Sequence, residues 1–375
     1  MRFHTAKTLN GHAGWRCRCP LSTVFIQTFT ATIAAHLGCA APDRYTRLPG
    51  YQISSQSVPF RACEVSRVSV RNRFLCCATF AIAATVMMAA TAKAQDAEPR
   101  AYANAPVGLN FLLAGYIYTQ GRMAFDPSLA IADAQFHSQT EEAAYVRAFD
   151  FFGKSAKFDV IVPYSTFSAH ALVAGQPQER DMSGFGDPRF RVSINLFGAP
   201  ALSAKEFANY KQDLIIGVSL QVSAPLGQYD DSKLLNLGNN RWPFRPELGI
   251  SKAWGPWILE VAPSVTFFTD DPDFFNGKKF AQAPLYMVRG SMIYNFESGV
   301  WISLDGSYLT GLRTTVNDVK GNNEQENVRA GLTLALPIDR QNSIKLNAST
   351  GIYTRTGDEF TLVGIAWQYR WGAGY

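Results

Sequence analysis

The sequence predicts an all-β protein, a closed antiparallel transmembrane β-barrel of about 12 strands with long outer loops and short periplasmic turns. Two observations predict this fold. Alternating apolar and polar residues recur along residues 95–375 in segments of roughly 9 to 13 residues, close to the length that crosses a bilayer as a tilted strand. No stretch after residue 94 approaches the roughly 18 uninterrupted apolar residues of a membrane helix.

Composition divides the chain near residue 94. All six cysteines lie at or before Cys77, so residues 95–375 can form neither a disulfide framework nor a thiolate metal site. Residues 1–94 hold 11 of the 35 Lys and Arg and 2 of the 30 Asp and Glu, which leaves 24 basic and 28 acidic residues, a net charge of −4, for the rest. The basic excess lies in the N-terminal part, and no nucleic-acid partner is expected.

Residues 70–94 have the pattern of a secretory signal peptide. Arg71 and Arg73 precede an apolar run from Phe74 to Ala92, and small residues in an Ala-x-Ala pattern end at Ala94. Cleavage is expected before Gln95. The alternative is a single transmembrane anchor, because the run is close to the roughly 20 residues that span a bilayer.

Residues 1–69 precede this signal and show no periodicity. Because a signal peptide should begin at the N-terminus, we interpret them as a non-native extension from an over-extended gene start, with Val68 or Val70 as the true initiator. The alternative is a disordered N-terminal extension. Under either interpretation, the working domain is residues 95–375.

The alternation is clearest in residues 211–223, where even positions from Leu214 to Val222 are apolar and odd positions are on average more polar. In a strand these two sets face opposite sides. A soluble β-sandwich could produce the same pattern, but its strands average about 5 or 6 residues. The predicted strands are 107–118, 143–152, 156–165, 188–197, 211–223, 246–254, 257–269, 285–296, 300–309, 327–337, 343–353 and 359–371.

The connections alternate in length, as expected for long outer loops and short periplasmic turns. An even number of strands closes the sheet and leaves no unpaired edge in lipid. One longer periplasmic connection, 198–210, contains a segment, Ser203–Phe207, that could form a helical turn. The predicted outer loops are 119–142, 166–187, 224–245, 270–284 and 310–326, and the tight turns are 153–155, 255–256, 297–299 and 338–342.

Aromatic residues cluster at the predicted strand ends, where interfacial rings contact lipid headgroups. The last strand, Phe360–Trp371, carries Trp367, Tyr369 and Trp371 on one face, and Tyr375 shares their parity. A final amphipathic strand that ends in an aromatic residue suits recognition by the barrel-assembly machinery. The expected partners are therefore outer-membrane lipid and, during biogenesis, that machinery.

Residues that could carry chemistry are few. His137 and His170, the two histidines after residue 94, are expected in outer loops, whereas a Ser-His hydrolase needs its pair fixed on adjacent strands. The Asp-rich segment 269–273 could bind a divalent cation, but it lacks EF-hand spacing and a solvated loop is the favoured interpretation. No helix follows Gly186, which argues against phosphate binding. We therefore expect no enzyme, no cofactor and no metal.

Charged residues lie on the polar parity of the strands, where they would face the lumen, because charges at bilayer depth are tolerated when they face water or one another. They either set the selectivity of a polar channel or form a salt-bridge network that fills the lumen. The candidates are Lys157, Asp159, Arg189, Arg191, Asp213, Glu247, Glu260, Arg289, Asp305, Arg329, Lys345 and Arg370.

Several longer motifs occur in order along the chain: Ser183–Arg189, Ala224–Asp230, Gly238–Trp242 followed by Pro246 and Glu247, Ser349–Gly351 with Arg355 and Gly357, and Trp367–Gly372. With these motifs the sequence resembles the family of outer-membrane transporters associated with the meta-cleavage pathway of phenol degradation. The resemblance implies a bacterial outer-membrane barrel that assists uptake of small, aromatic or otherwise hydrophobic, molecules, and it implies no catalytic residues.

The predicted function is passive passage of a small organic solute through the barrel. The alternative is a plugged structural or surface-interaction barrel whose outer loop, residues 224–244 with Tyr229 and Trp242, binds a partner outside the cell. Whether residues 95–106 enter the lumen is left open by the sequence, and that placement decides how much of the lumen is free.

Overall fold

The computed structural model describes residues 98–122, 131–355 and 359–374, and these are almost entirely β-strand. The predicted N-terminal extension, the predicted signal peptide and Tyr375 lie outside the described residues. One short helix, α1 (Ala204–Phe207), lies in the predicted helical segment, with Ser203 and Glu206 forming a reciprocal capping box. None of the helices in these ranges is long and apolar enough to cross a membrane.

The strands form a closed antiparallel barrel with twelve positions. Neighbours in sequence are neighbours in the sheet, and the first strand pairs with the last, Asn110 opposite Trp371 through Arg122 opposite Glu359. The barrel strands are β1 (Asn110–Arg122), β2 (Ile131–Phe151), β3 (Lys154–Val173), β4 (Gln176–Phe185), β5 (Arg189–Phe197), β6 (Leu214–Ser223), β7 (Pro243–Trp254), β8 (Trp257–Phe268), β11 (Leu285–Asn295), β12 (Trp301–Gly311), β15 (Gln325–Pro337), β16 (Asn342–Thr354) and β17 (Glu359–Trp371).

β4 and β5 share one barrel position. β4 pairs with the outer half of β3, and β5 pairs with its periplasmic half. The β-structure is interrupted between them at residues 186–188, where Pro188 has no amide hydrogen to donate to a sheet. A second, small sheet lies in the outer connections and contains β9 (Asp271–Phe274), β10 (Lys278–Gln282), β13 (Thr314–Val316) and β14 (Val319–Lys320).

The distribution of apolar and polar side chains in the barrel is the inverse of that in a soluble protein. On β12, Leu304 faces outward with 51% of its surface exposed, whereas Asp305 faces the lumen and is only 3% exposed. The same alternation repeats along β11, where Val288 and Met292 are exposed between buried neighbours. An apolar exterior around a polar interior is the arrangement of a barrel in lipid, and it excludes a soluble sandwich with a dry core.

Two predicted outer loops are wrong. Residues 119–122 and 131–142 continue β1 and β2, and residues 166–173 and 176–185 form a hairpin of β3 and β4. The hairpin turns at Ala174 and Gly175, both with positive φ. The backbone groups pair with each other above the membrane, where side chains on both faces can be polar. The apolar alternation that marks a strand in lipid is therefore lost although the strand continues.

The two histidines consequently lie on strands. His137 is on β2 and His170 on β3, both on the outward, exposed face, instead of in the loops where they were expected. His137 lies opposite Ser168 in the register, but no hydrogen bond joins their side chains. This geometry does not form the linked pair that a nucleophilic hydroxyl requires.

The lipid-facing surface gives a direct stability test. We expect Leu304→Arg to destabilise the barrel by about 2–4 kcal/mol, because an arginine in the middle of the apolar band must leave water. Val319→Arg is the matched control, since Val319 is 68% exposed on the outer hairpin β14. Urea titrations of protein refolded into bilayers measure both values. Equal effects at the two positions would contradict the assigned membrane band.

Candidate functional site in the barrel lumen

Residues 98–109, here called the N-terminal segment, lie inside the barrel. Tyr102 is only 4% exposed, and its hydroxyl lies 3.0 Å from Glu247 Oε1 and 3.2 Å from Ser219 Oγ. Its ring rests on two glycines: a Cβ atom built at Gly217 would come within 2.6 Å of the ring, and one at Gly249 within 2.0 Å. Only glycine at both positions leaves room for this aromatic contact.

Charged lumen residues hold the backbone of the N-terminal segment. The Arg100 amide donates to Glu260 Oε2 at 2.7 Å, and the Lys157 ammonium donates to the carbonyls of Ala101 and Ala103. Since these contacts hold three backbone groups of the segment, from Arg100 to Ala103, its path is fixed. The segment therefore enters the lumen, which the sequence left open.

The outer tip of this anchor is an ion pair. Arg191 NH2 lies 2.9 Å from Glu98 Oε2, and Arg191 also donates to Asp159. The Arg191 guanidinium, more than any other group, lowers the pKa of Glu98 to about 2, so this carboxylate stays ionised at neutral pH. Asp159, Arg191 and Lys157 thus form one charged cluster around the start of the described chain.

Most of the remaining predicted lumen charges are paired or stacked. Arg289 donates to Glu247, which links the Tyr102 site to β11, and Arg189 donates to Glu142. Asp305 accepts from Ser303 and Thr333 at 2.9 Å each. The Arg329 guanidinium lies 3.8 Å from the ring centre of Phe360. These contacts fix the wall, and they do not fill the lumen.

Asp213 is not in the lumen. The strand β6 begins at Leu214, one residue later than Asp213, and the Asp213 side chain is 77% exposed and pairs with Lys252. The predicted strand began at residue 211, and extrapolating its alternation past the true strand end placed Asp213 inside. At the periplasmic surface the carboxylate is solvated instead.

A cavity of about 810 Å³ lies beside the N-terminal segment. It opens near the connection 338–341, one of the short connections, which lie at the periplasmic end of barrels of this kind. Lys345 and Arg370 line its charged side, and Arg370 Nε donates to the Arg340 carbonyl at 2.6 Å. Apolar residues next to this charged side, Phe111, Leu113 and Val146, also line the cavity, and Phe111 is the direct register partner of Arg370. The N-terminal segment thus narrows the lumen without closing this end.

The apolar side of that cavity belongs to a longer stripe that sequence analysis missed. Apolar side chains recur, with polar ones such as Thr140 and Glu142 between them, on the same lumen-facing parity of four adjacent strands toward the outer end. We call this set the apolar stripe: Phe111, Leu113 and Ile117 on β1, Phe136, Ala144 and Val146 on β2, Ile161 and Phe167 on β3, and Phe360 and Leu362 on β17. The available signal was β1 itself, whose residues 111–113 are apolar on both parities.

Three aromatic rings form the outer part of the apolar stripe. The rings of Phe136 and Phe167 stack at 5.5 Å with an interplanar angle of 18°, and Phe360 meets Phe136 edge-on at 6.2 Å. Farther in, the stripe contains Gly115, where an added Cβ would have no neighbour closer than 3.7 Å. The stripe is therefore aromatic near the outer end and carries no side chain at Gly115 in its middle, where a Cβ would make ordinary van der Waals contacts.

Three of the motifs that carry the family resemblance, Ser183–Arg189, Ala224–Asp230 and Gly238–Trp242, meet at the outer side of the barrel. Asp187, in the break between β4 and β5, accepts from the amides of Gly227 and Asn239 and from the Asn239 side chain, all at 2.9 Å. The Gln228 amide donates to the Phe185 carbonyl at 2.8 Å. The connection that follows β6 is thus held across the break, where β4 has no other partner on that side.

A second acidic residue organises the same region. Asp271 accepts from the Tyr229 hydroxyl at 2.7 Å and from Asn240 at 2.8 Å, and burial together with this carboxylate raises the pKa of Tyr229. Arg241 lies over the rings of Phe268 and Phe280 at 4.6 and 4.9 Å, and burial lowers its pKa to about 10. Within the described ranges, no group of three or more acidic, histidine or cysteine residues could hold a metal.

Comparisons with known proteins agree with this architecture. The family profile described as "Putative MetA-pathway of phenol degradation" matches residues 107–370. The COG4313 outer membrane channel from Pseudomonas putida F1 is 16% identical with a TM-score of 0.63, over 74% of this chain and 100% of that one. This similarity shows a shared fold.

Two further solved structures score below the range that indicates a common fold. They are the transport unit of the autotransporter AIDA-I from Escherichia coli, at 10% identity and a TM-score of 0.42 over 76% and 96% of the two chains, and the toluene transporter TodX from Pseudomonas putida, at 9% and 0.38 over 75% and 95%. No curated protein matches the sequence.

The packing of the Tyr102 ring against Gly217 and Gly249 can be tested directly. We expect Gly249→Val to expel the Tyr102 ring, because the new side chain would overlap it. The N-terminal segment should then be cleaved by trypsin at Arg100, and single-channel conductance in planar bilayers should rise about twofold or more. Gly290→Val is the matched control, since its Cβ would meet nothing closer than 3.7 Å. A folded Gly249→Val barrel with unchanged protection and conductance would refute the anchor.

Proposed function

The chain belongs to the family described as "Putative MetA-pathway of phenol degradation", and we propose that it is an outer-membrane channel for passive uptake of small organic solutes, including aromatic and hydrophobic ones. The observation that carries this proposal is the two-sided lumen. An apolar stripe on β1, β2, β3 and β17 faces a wall of paired charges and hydroxyls, and the stripe reaches the open periplasmic cavity.

The apolar stripe and the polar wall of the lumen together could bind a solute that has an apolar ring and a polar group. A ring that leaves water gains contact with apolar side chains at roughly 25 cal/mol per Å² of buried apolar surface. Because the stripe is shallow and open on one side, the ring stays partly solvated and can leave again. A solute's polar group would meet hydroxyl and charged groups of the opposite wall, so its hydrogen bonds are replaced during passage.

The charges act mainly on structure and access in this proposal. Glu247 with Arg289, and Asp159 with Arg191, neutralise each other and hold the N-terminal segment. Lys345 and Arg370 line the periplasmic cavity. They would make the exit favourable for anions and polar solutes, while the segment limits the size of what passes.

The proposal includes a route to the membrane. The signal peptide 70–94 would direct export, and the terminal strand β17, with Trp367, Tyr369 and Trp371 stacked at 6.1 and 5.7 Å, would be recognised by the barrel-assembly machinery. The outward aliphatic residues then contact outer-membrane lipid.

A second candidate is a plugged barrel that acts through its outer surface. It is favoured by one observation, the dense hydrogen bonding of residues 224–242 to Asp187 and Asp271, which gives a rigid outer surface. A barrel with this function alone would show no solute flux in liposomes, even after Gly249→Val has freed the lumen.

Blocking the apolar stripe tests the channel. We expect Gly115→Phe to reduce the initial swelling rate of proteoliposomes in 4-hydroxybenzoate several-fold, because Gly115 is on the lumen-facing parity of β1 and the added ring would project into the lumen. Ala114→Phe is the matched control, since the neighbouring residue faces lipid on the same strand. Equal rates for the wild type and both variants would rule out passage along the stripe.

A further inference from the structure

A separate cavity of about 230 Å³ lies at the outer end of the barrel. It is a partly open cavity lined by the extended hairpin of β3 and β4, by residues 232–235 after β6, and by Phe275 next to β9. Its lining is mostly apolar and includes Ala169, Ala171, Val173, Leu234, Leu235 and Phe275. None of the twelve predicted lumen charges lines this cavity, so it is distinct from the periplasmic cavity.

Polar residues also line this cavity, namely His170, Gln178, Glu179, Arg180, Ser232 and Lys233, and among them Arg180 has a buried atom without a partner in the described part of the chain. Arg180 lies on the lumen-facing parity of β4, and its Nε atom is buried without a hydrogen-bond partner among the described residues. Most buried donors in folded proteins are paired with protein or water, because an unpaired one costs about 1–3 kcal/mol. A donor left in this state at the wall of an apolar cavity fits a ligand that brings an acceptor.

The size of the cavity limits that ligand. An engineered protein cavity of about 150 Å³ with an apolar lining stays dry and binds benzene. A cavity of about 230 Å³ therefore accommodates one aromatic ring with one or two small substituents.

The position of the cavity connects it to the apolar stripe. Ala169 and Ala171 have the same parity on β3 as Phe167, so Ala169 is one lumen-facing position, about 6 to 7 Å, farther out than Phe167, and it lies directly opposite Phe136 of the stripe in the register. A ring that leaves the cavity inward would next meet Phe167 and Phe136. The cavity is thus located where a solute from outside would first find apolar surface.

From these observations we propose that the outer cavity is a capture site for a single-ring, largely apolar molecule that carries one hydrogen-bond acceptor, such as a phenolic hydroxyl or a carboxylate, which pairs with Arg180. The inference deepens the proposed channel function and rests on it for its biological purpose. The binding itself depends only on the cavity.

Binding can be measured on the whole protein in nanodiscs by fluorine NMR, with 4-fluorophenol and fluorobenzene as probes. We expect saturable binding of 4-fluorophenol at one site and weaker binding of fluorobenzene, which lacks the acceptor. Ala171→Phe should weaken binding of both at least tenfold, because it fills the cavity. Leu172→Phe is the matched control, since Leu172 is the next residue on the outward face, and it should leave both affinities within twofold.

Arg180→Met tests the polar contact separately from the apolar one. It keeps an apolar side chain of similar length, so we expect several-fold weaker binding of 4-fluorophenol and an unchanged affinity for fluorobenzene. No saturable binding of either probe, or binding that Ala171→Phe leaves intact, would overturn the capture site. Equal losses for the two probes in Arg180→Met would overturn the role of Arg180.

The same variants separate this inference from the proposed channel. If the wild type conducts solutes and Gly115→Phe blocks them, but neither probe binds, the channel stands and the capture site fails. If the probes bind as expected and liposomes show no flux, the capture site stands and the channel function fails.

Discussion

Every backbone amide that reaches the hydrocarbon layer must find its partner inside the protein, because lipid offers none. In this chain the two ends of the sheet are joined by thirteen residue pairs between β1 and β17, from Asn110 opposite Trp371 to Arg122 opposite Glu359, so no strand edge is left unpaired there. Once the sheet is closed, alternate side chains along each strand face either the lipid or the lumen. The lipid-facing aliphatic residues, the lumen, and the confinement of the N-terminal segment all follow from this pairing.

The closed wall is used asymmetrically. Strands β3 and β5 to β8 contribute the groups that hold the N-terminal segment: Lys157, Arg191, Glu247, Glu260 and the two glycines under Tyr102. Strands β1, β2 and β17, together with the upper part of β3, contribute the apolar stripe. The groups that anchor the N-terminal segment and the apolar stripe thereby lie on different parts of one sheet.

Sequence analysis predicted the barrel and its twelve strand positions because alternation within lipid is a local signal. It failed where the signal is absent or ambiguous. The outer halves of β2 and β3 are polar on the outward face, so they read as loops, and Asp213 was assigned by extending a strand beyond its end. The apolar stripe was hidden because alternation assigns apolar residues to lipid by default, whereas Phe111 and Leu113 flank the lipid-facing Leu112.

Contacts between residues far apart in the sequence could not be predicted from local patterns. Neither Gly217 nor Gly249 indicates a tyrosine more than a hundred residues earlier, and the meeting of Asp187 with Gly227 and Asn239 requires the fold itself. The ordered motifs of the family did mark this region, since Ser183–Arg189, Ala224–Asp230 and Gly238–Trp242 come together there. These motifs indicated the region, but they did not predict which of its residues are in contact.

The location of the N-terminal segment has a consequence for biogenesis. Its polar anchors lie on β3 and β5 to β8, whereas the seam that shuts the cylinder joins β1 to β17 on another side. The segment can therefore dock onto a half-built, still open sheet and serve as a scaffold around which the later strands curl. Threading it through a finished ring is unnecessary.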